Sequence, residues 1–424
     1  NNQITTIPAQ SLPGNLTQIS LEENPVTTVE EAAFDASAFT LTILAFSDPL
    51  FTKIPDAFLH LHALSQLILE DTNITDWNLN AMKNIGQTLE MFYLSQKSLA
   101  LWPEYIQYFT HLTVLSITDT SIATIPDNAF DNIANSLTSL ALFNNMLKAI
   151  PKSLSKLTVL QSLYLNANKI VDIEWLPIVS NLRSLALDYN RITDANQLSK
   201  ILKRYTESLD DFGITSNRLT VIPDFSFFQN IEQFYFTGNR INDPYSGSLP
   251  VNISVLSFAN NSLPSIPSIV LKLKYVTELL VTQNIIHEMR GTEIPQWINM
   301  IEIDYNFITE ITETSFPEKS SLTYLNINYN PVSRISDAAF KNVQLLNELT
   351  IRGSKLTRVP LAFRSLVNMN FLDVSDSRSL VCTCLEKGLS SWIQRLSSFS
   401  INGNCGDISI YFFFVTLGPS CPTN

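Results

Sequence analysis

Glycine is scarce in this sequence, at 11 of 424 residues, or about 2.6% against a typical ~7%. The glycine-rich phosphate loops G-x-G-x-x-G and P-loop do not occur, and neither do G-x-S-x-G or H-E-x-x-H. The only histidines are His60, His62, His111 and His287, and none lies in a pattern of metal-ligand spacing, so we expect solvated surface histidines. The sequence therefore predicts no enzymatic activity, no catalytic or metal site and no cofactor.

Positive charge and long apolar runs are also in short supply. The chain has 27 Lys and Arg against 39 Asp and Glu, a net charge of −12. Phosphate binding needs local positive charge, so nucleic acid and anionic membrane surfaces are excluded as partners. No run approaches the 18 apolar residues of a membrane span. An apolar fraction of 45% nevertheless excludes a disordered chain.

Cysteine is absent from the first 381 residues, and all four cysteines, Cys382, Cys384, Cys405 and Cys421, lie in the last 43. A bridge between Cys382 and Cys384 is geometrically poor. Two pairings remain, Cys382 with Cys405 and Cys384 with Cys421, or the crossed alternative. C-x-C without a nearby histidine is poor zinc spacing. The cysteines therefore predict two disulfides and an oxidising, extracellular compartment.

One pattern repeats through nearly the whole chain. Residues 160–170 and 182–192 both read L-x-x-L-x-L-x-x-N-x-L, and copies follow one another at spacings of 22 to 27 residues. Positions one, four and six are apolar in every copy. We number the copies one to sixteen; their first positions are residues 16, 41, 64, 89, 112, 137, 160, 182, 209, 231, 253, 276, 298, 322, 346 and 369.

This pattern resembles the extracellular leucine-rich-repeat family, in the subtype of about 24 residues found in Toll-like receptors and Slit-type proteins. The resemblance implies an α/β solenoid: a curved horseshoe with a parallel concave β-sheet and an irregular or short-helical convex side. We expect about sixteen repeats over residues 1–378 and a cysteine-rich, disulfide-bonded C-terminal cap over residues 379–424. The family's pairing implies Cys382 with Cys405 and Cys384 with Cys421. The family's amino-terminal cap is missing, so we expect either native residues before Asn1 or another subunit that covers this end.

Position nine is asparagine in nine consecutive copies, where we expect the amide to satisfy backbone groups of adjacent turns. Because other residues replace it in copies two to five, we expect the first third to be less regular. Copy eight is the longest, and residues 194–205 have helical apolar spacing after a candidate N-cap. We therefore expect the longest convex helix there. The nine asparagines are Asn145, Asn168, Asn190, Asn217, Asn239, Asn261, Asn284, Asn306 and Asn330.

Strand alternation places positions two, three, five, seven and eight on or beside the concave face. These positions hold seventeen acids and two bases, Arg183 and Arg352, whereas the rest of the chain has 22 acids and 25 bases. Tyrosines on an exposed sheet are typical of an interface, although tyrosine also favours strands in general. The concave aromatics are Tyr93, Phe143, Tyr164, Tyr189, Tyr235, Tyr305, Tyr324 and Tyr329.

The sequence therefore predicts an extracellular protein-recognition module, secreted or a receptor ectodomain, that binds a basic or polar protein on its acidic, tyrosine-bearing concave face. The alternative is a structural or adhesive extracellular protein that self-assembles. The predicted ligand contacts are Tyr93, Phe143, Tyr164, Asp188, Tyr189, Asp210, Asp211, Glu232 and Tyr235.

Two further surface features complete the prediction. A row of bases follows position nine in copies seven to ten, either as a structural ladder or as a second contact surface; it consists of Lys169, Arg191, Arg218 and Arg240. Four N-x-S/T sequons predict exposed, glycosylated asparagines at Asn15, Asn73, Asn252 and Asn260.

Overall fold

The structure is a computed structural model that describes residues 2–178 and 181–421. The chain forms two compact units, Asn1–Ile214 and Thr215–Asn424, which we call unit 1 and unit 2. Each unit is built on one parallel sheet, with nine strands in unit 1 and eight in unit 2. The parallel strands and the apolar repeat positions that they bury confirm the α/β solenoid fold.

The sheet of unit 1 takes one strand from each of copies one to nine, in chain order. Paired strands align the same pattern position, so Leu140 faces Leu163 and Leu163 faces Leu185, all at position four. These leucines are completely or almost completely buried. The strands are Gln18–Leu21, Ile43–Ser47, Gln66–Glu70, Met91–Ser95, Val114–Thr118, Ser139–Ala141, Ser162–Tyr164, Ser184–Ala186 and Asp211–Gly213.

The sheet of unit 2 follows the same rule through copies ten to sixteen, and its eighth strand comes from the C-terminal module. Leu256, Leu279 and Ile301 align at position four and are fully buried. The strands are Gln233–Tyr235, Val255–Ser257, Glu278–Leu280, Met300–Glu302, Tyr324–Asn326, Glu348–Thr350, Phe371–Asp373 and Ile401–Asn402.

The segments that return the chain between strands are short helices and turns. Proline fixes the backbone before five of the 3₁₀ helices; these follow Pro55, Pro103, Pro151, Pro267 and Pro360. The 3₁₀ helices are Asp35–Ser37, Asp56–His60, Glu104–Tyr108, Lys152–Lys156, Lys203–Tyr205, Ser268–Lys272, Gly291–Glu293, Leu361–Ser365, Cys384–Leu389 and Gly418–Ser420, and Phe413–Leu417 forms a π-helix. Small two-stranded pairings join Thr6–Ile7 to Thr28–Val29, Glu310–Ile311 to Arg334–Ile335, and Asn404–Cys405 to Ile408–Ser409.

Four α-helices occur in the described residues: α1 (Leu79–Ile85), α2 (Ala195–Leu202), α3 (Ser390–Ile393) and α4 (Ile410–Phe412). The longest is α2, in copy eight, as predicted. The Asp194 side chain caps it by accepting a hydrogen bond from the Gln197 N–H. Leu198, Ile201 and Leu202 form its buried face.

The position-nine asparagines connect neighbouring turns as predicted. Asn168 Nδ2 donates to Leu165 O at 3.1 Å in its own copy and to Leu142 O at 2.8 Å in the preceding one. Its Oδ1 accepts from the Leu147 N–H at 3.0 Å. One buried amide thus satisfies backbone groups that a tight turn would otherwise leave unpaired.

The expected irregularity of the first third is wrong for the strands. Copies two to five, which lack the asparagine, have five-residue strands, whereas copies six to nine have three-residue strands. In copy three the Thr72 N–H donates to Ser95 O at 3.1 Å, so main-chain pairing continues past the strand. The missing asparagine alone does not explain the longer strands, because copies fifteen and sixteen, with Ser354 and Ser377 at position nine, have three-residue strands.

The C-terminal module contains two disulfides, Cys382–Cys405 and Cys384–Cys421, the pairing that the family resemblance implied. Trp392 Nε1 donates to Leu366 O at 2.9 Å, which attaches α3 to the last repeats. The buried Glu386 carboxylate forms an ion pair with Arg358. The module is therefore held to the repeats by both covalent and polar contacts.

Candidate functional site

The clearest concave feature lies in unit 1, where position five forms a continuous row across the sheet. Strand pairing sets Tyr93 beside Ser116, Ser116 beside Ala141, and Ala141 beside Tyr164. Adjacent strands lie about 4.8 Å apart, so the two tyrosines stand roughly 14 Å apart. Because the side chains between them are small, the row forms a groove with a tyrosine at each end, which we call the Tyr93–Tyr164 groove.

Side chains at position seven line one side of this groove. Phe143, at position seven and two residues after the strand ends at Ala141, lines the groove with Tyr93 and Tyr164. The volume of the groove is about 790 Å³. Its walls are aromatic and its floor is small and partly polar, a shape that can hold side chains of an extended peptide.

Carboxylates line one end of the groove. Glu70, Asp71 and Asp119 belong to its lining. Partial burial raises the pKa of Glu70 above its usual value, and the nearby charges of Glu22 and Asp71 raise it further. Glu70 and Asp71 repel one another in the free protein, so a cation placed beside them would be stabilised.

Lys97 also lines the groove, and the sequence pattern did not reveal it. Lys97 stands at position nine of copy four, but the buried side chain here is that of Gln96. Gln96 Nε2 donates to Ile74 O at 2.9 Å, and its Oε1 accepts from Thr72 Oγ1 at 3.0 Å. Gln96 thus takes the asparagine's role one residue early, and Lys97 is exposed.

The other predicted contacts in unit 1 lie in copies eight and nine. Asp210 and Asp211 are exposed, and Asp211 Oδ2 accepts a hydrogen bond from Ser184 Oγ at 2.7 Å. The Asp188 carboxylate lies over Gly213, where an added Cβ would be 1.9 Å from Asp188 Oδ2. A larger residue at position 213 would therefore require the Asp188 side chain to move. Tyr189 is 64% exposed.

Glu232 and Tyr235 belong to unit 2. Both are exposed, Tyr235 to 43%, and the Tyr235 hydroxyl donates to Gln233 Oε1 at 2.8 Å. Their role in ligand binding stays a prediction, as does that of the predicted contacts in unit 1.

Position eight shows a backbone feature that the sequence did not predict. In fifteen of the sixteen copies its φ is positive, between 48° and 71°, and copy four, with Gln96, is the exception. Glycine, asparagine and aspartate tolerate this left-handed conformation best. Tyrosine nevertheless occupies it in three copies, at Tyr189, Tyr305 and Tyr329.

The remaining predicted surface residues lie as follows. Arg191 and Arg240 of the basic row are exposed, and Lys169 and Arg218 are half-buried. The sequon asparagines Asn15, Asn73 and Asn260 are exposed, whereas Asn252 is half-buried and donates to Gln229 O at 3.2 Å.

No group of three or more His, Cys, Asp or Glu in residues 2–178 and 181–421 is placed to hold a metal ion. His60 is not freely solvated as expected: its Nδ1 lies 2.6 Å from Asp35 Oδ1, because residues 25 apart are neighbours in adjacent copies. Within the same residues, no helix is both long and apolar enough to cross a membrane.

Two family models match the sequence. One, described as leucine-rich repeat, matches residues 110–170 and 320–378, and the other, a BspA-type leucine-rich-repeat region of six copies, matches residues 1–113. Together the two models span more than half of the chain. No curated protein sequence matches.

Solved structures show the same fold. The mouse RP105/MD-1 complex has a chain with a TM-score of 0.62 and 14% identity, covering 95% of this chain and 74% of that one. A leucine-rich-repeat protein of Leptospira interrogans has a TM-score of 0.58 and 21% identity, with coverages of 83% and 93%. The plant peptide hormone receptor RGFR1, in complex with RGF2, has a TM-score of 0.56 and 21% identity, with coverages of 90% and 68%. With its repeat register and disulfide-bonded C-terminal module, the chain belongs to the leucine-rich-repeat family of non-enzymatic protein-interaction modules.

Proposed function

We propose that this protein is an extracellular recognition module whose Tyr93–Tyr164 groove binds an extended segment of a protein ligand. An apolar or aromatic ligand side chain fills the space above Ser116 and Ala141. A basic ligand residue next to it pairs with the carboxylates at the end of the groove.

The groove between the two tyrosines is the observation that carries this proposal. Aromatic side chains supply much of the truncation-sensitive energy of interfaces, about 2 kcal/mol or more each when they are central. Tyr93 and Tyr164 are half-buried, so each ring is held in place while part of its surface is left for a ligand. The small side chains of Ser116 and Ala141 keep the space between the rings open.

The charge of the groove selects the ligand. Three carboxylates and one lysine line it, so the groove is acidic. Charge complementarity chiefly raises the association rate and excludes acidic partners. A basic ligand also stabilises the ionised form of Glu70, whose pKa is raised by burial and then by the charges of Glu22 and Asp71.

The extracellular assignment is supported by the two disulfides, which persist in oxidising compartments. Structures of the same fold include a receptor with a peptide hormone and RP105 with MD-1, which favours a protein ligand. We also propose glycosylation at the exposed Asn15, Asn73 and Asn260. Self-assembly stays an alternative, and sedimentation over a concentration series distinguishes it from ligand recognition.

Selection of a random peptide display library on the intact protein tests the proposed function. We expect enrichment of sequences in which a large apolar residue is adjacent to Lys or Arg. The enriched peptides should lose about tenfold or more in affinity for Tyr164→Ala, mainly through faster dissociation.

Tyr245→Ala is a suitable control, because Tyr245 is an exposed tyrosine of unit 2 outside the concave positions. The enriched peptides should bind Tyr245→Ala as tightly as they bind the wild type. Enrichment of acidic peptides, or equal affinity for Tyr164→Ala and wild type, would show that the groove is not the recognition site.

A further inference from the structure

A second aromatic surface lies in unit 2, at position eight of copies thirteen and fourteen. The rings of Tyr305 and Tyr329 stack with centroids 4.6 Å apart and planes inclined by 21°. The two residues remain 49% and 37% exposed. We call this pair the tyrosine stack.

Both tyrosines occupy a backbone conformation that disfavours them. Their φ angles are +52° and +54°, in the left-handed region where a Cβ is close to the following carbonyl oxygen. Asparagine or glycine would fit there with less strain. Exposed tyrosines kept at strained positions are more readily explained by a contact with a partner than by folding.

The chain itself shows what the faces of these rings accept. The Arg352 guanidinium lies over the Tyr329 ring, 5.9 Å from its centroid. Arg352 Nη2 also donates to Asp376 Oδ2 at 2.8 Å, and the Tyr329 hydroxyl donates to the same oxygen at 3.2 Å. A guanidinium is therefore held between an aromatic face and a carboxylate.

Gly353 allows this arrangement. It has a φ of +64°, and a Cβ on it would lie 2.6 Å from Tyr329 Cδ1. Any larger residue would displace the ring on which Arg352 rests. Tyr329 is thus positioned by the backbone of the next copy.

Tyr305 has carboxylates close by but no basic residue among its concave neighbours in copies twelve and thirteen. Glu302, which is half-buried, and Asp304, which is 9% exposed, lie on the same face of the strand that leads to it, at positions five and seven. Asp304 Oδ1 also accepts a hydrogen bond from Asn326 Nδ2 at 3.3 Å. Burial, followed by the charges of Asp304 and Glu278, raises the pKa of Glu302, and burial raises that of Asp304. The concave positions of copies twelve to sixteen contain six acids and one base, Arg352.

We propose that the tyrosine stack, together with Glu302 and Asp304, is a docking surface for an arginine-bearing segment of a protein partner. A partner guanidinium lies against Tyr305 and pairs with the half-buried Glu302 carboxylate, as Arg352 does with Tyr329 and Asp376, and the buried charge of Asp304 adds to the attraction. Arginine fits better than lysine because its planar group stacks on an aromatic ring and donates to a carboxylate through a fork of N–H groups. This proposal depends on unit 2 alone and not on the proposed function of the Tyr93–Tyr164 groove.

Fluorescence anisotropy with three labelled peptides of one length tests the proposal on the intact protein. The peptides contain two arginines, two lysines or two citrullines on a glycine and serine background. We expect the arginine peptide to bind about fivefold more tightly than the lysine peptide. The neutral citrulline peptide should not bind measurably. Equal affinity for arginine and lysine would overturn the proposal, because charge alone would then explain binding.

The variant Tyr305→Asn separates a binding role from a structural one. We expect it to reduce arginine-peptide affinity about tenfold, with a melting temperature equal to or above that of the wild type. Tyr305→Phe, which keeps the aromatic face, should bind within about twofold of the wild type, and so should the exposed control Tyr245→Asn. A lower melting temperature for Tyr305→Asn with unchanged affinity would show that the ring is structural and would overturn the proposal. A peptide selected for the Tyr93–Tyr164 groove should bind Tyr305→Asn as tightly as the wild type, so failure of either proposal is distinguishable from failure of the other.

Discussion

At position eight, the residue types that suit the backbone best differ from the tyrosines that three copies contain. Its left-handed backbone makes asparagine, aspartate or glycine the easiest choice, and most copies do not depart far from small or polar residues there. Tyr189 does depart, and most of its side chain is in solvent. The ring contributes little packing in the free protein, so the backbone strain should dominate its effect on stability.

We therefore predict that Tyr189→Asn raises the free energy of unfolding by about 0.5–1 kcal/mol, because asparagine tolerates the left-handed conformation. Tyr189→Val should lower it, since a β-branched side chain is disfavoured there. Urea denaturation of the two variants and the wild type measures both changes. A loss of stability in Tyr189→Asn would mean that the ring makes stabilising contacts in the folded state.

A second residue-scale prediction concerns the asparagine row. Asn168→Ala removes the partner of two carbonyls and one N–H in the interior of unit 1. We expect a loss of about 2–4 kcal/mol, since each unsatisfied buried group costs about 1–3 kcal/mol and relaxation recovers part of that cost. The exposed Asn128→Ala should change stability by less than about 0.5 kcal/mol. Similar denaturation midpoints for the two variants would contradict the assigned role of the row.

At the scale of elements, the attachment of the C-terminal module depends on a buried carboxylate. Glu386 accepts hydrogen bonds from the Thr383 N–H at 3.0 Å and from Thr383 Oγ1 at 2.8 Å, which caps the Cys384–Leu389 helix. Arg358 of the preceding repeats pairs with the same carboxylate and donates to Thr383 Oγ1 at 3.0 Å. The Glu386 carboxylate thus both caps the helix and forms the ion pair, and its side chain is only 5% exposed.

Arg358→Ala should destabilise the protein by about 2 kcal/mol, since it leaves Glu386 buried without its cation; a fully buried pair would lose ~3–5 kcal/mol. The loss should show as faster hydrogen exchange in the module. Arg334→Ala provides the matched control, because Arg334 and Glu310 form a solvent-exposed pair worth at most about 1 kcal/mol. Equal effects of the two substitutions would contradict a structural role for the buried pair.

The elements differ in how far the sequence predicts them. The repeat register could be read directly, because buried apolar positions must recur in every copy for the copies to stack. The longest helix and its Asp194 cap were also readable from local chemistry. The five-residue strands were not, since copies two to five and copies fifteen and sixteen all lack the asparagine, yet only copies two to five have five-residue strands.

The sequence predicted the aromatic residues of the groove but not the small residues between them. Tyr93, Phe143 and Tyr164 stand out in a sequence, but Ser116 and Ala141 do not, and the space depends on them. Aligning position five across copies four to seven, which gives Tyr, Ser, Ala and Tyr, would have indicated it. Lys97 was missed because Gln96 takes over the inward position one residue early.

At the scale of the whole molecule, acidic charge is concentrated at the concave positions, while the rest of the chain has slightly more bases than acids. A basic ligand should therefore associate faster at low salt, and added salt should slow association more than dissociation, since screening acts beyond about 10 Å at 0.1 M salt.

The same charge predicts a pH dependence of ligand binding. A basic ligand favours ionised carboxylates, and both burial and neighbouring charges raise the pKa of Glu70 in the free protein. Affinity of a basic peptide for the groove should thus be full well above that raised pKa and fall as the pH drops through it, beginning at a higher pH than for an ordinary glutamate. Glu70→Gln should weaken this dependence, as titration calorimetry at several pH values can measure. An unchanged pH profile in Glu70→Gln would show that this carboxylate does not contact the ligand.

The central claim is that ligand recognition takes place in the space between Tyr93 and Tyr164. Ala141 and Ala186 are matched sites to test it, because both are half-buried alanines at position five, one inside the groove and the other on the far side of Tyr164. The most direct measurement is the affinity of a selected ligand for Ala141→Trp and Ala186→Trp. The account predicts a loss of at least about 100-fold for Ala141→Trp, which fills the groove, and a change below about threefold for Ala186→Trp. Equal affinities for the two variants, with both folded as the wild type, would contradict it.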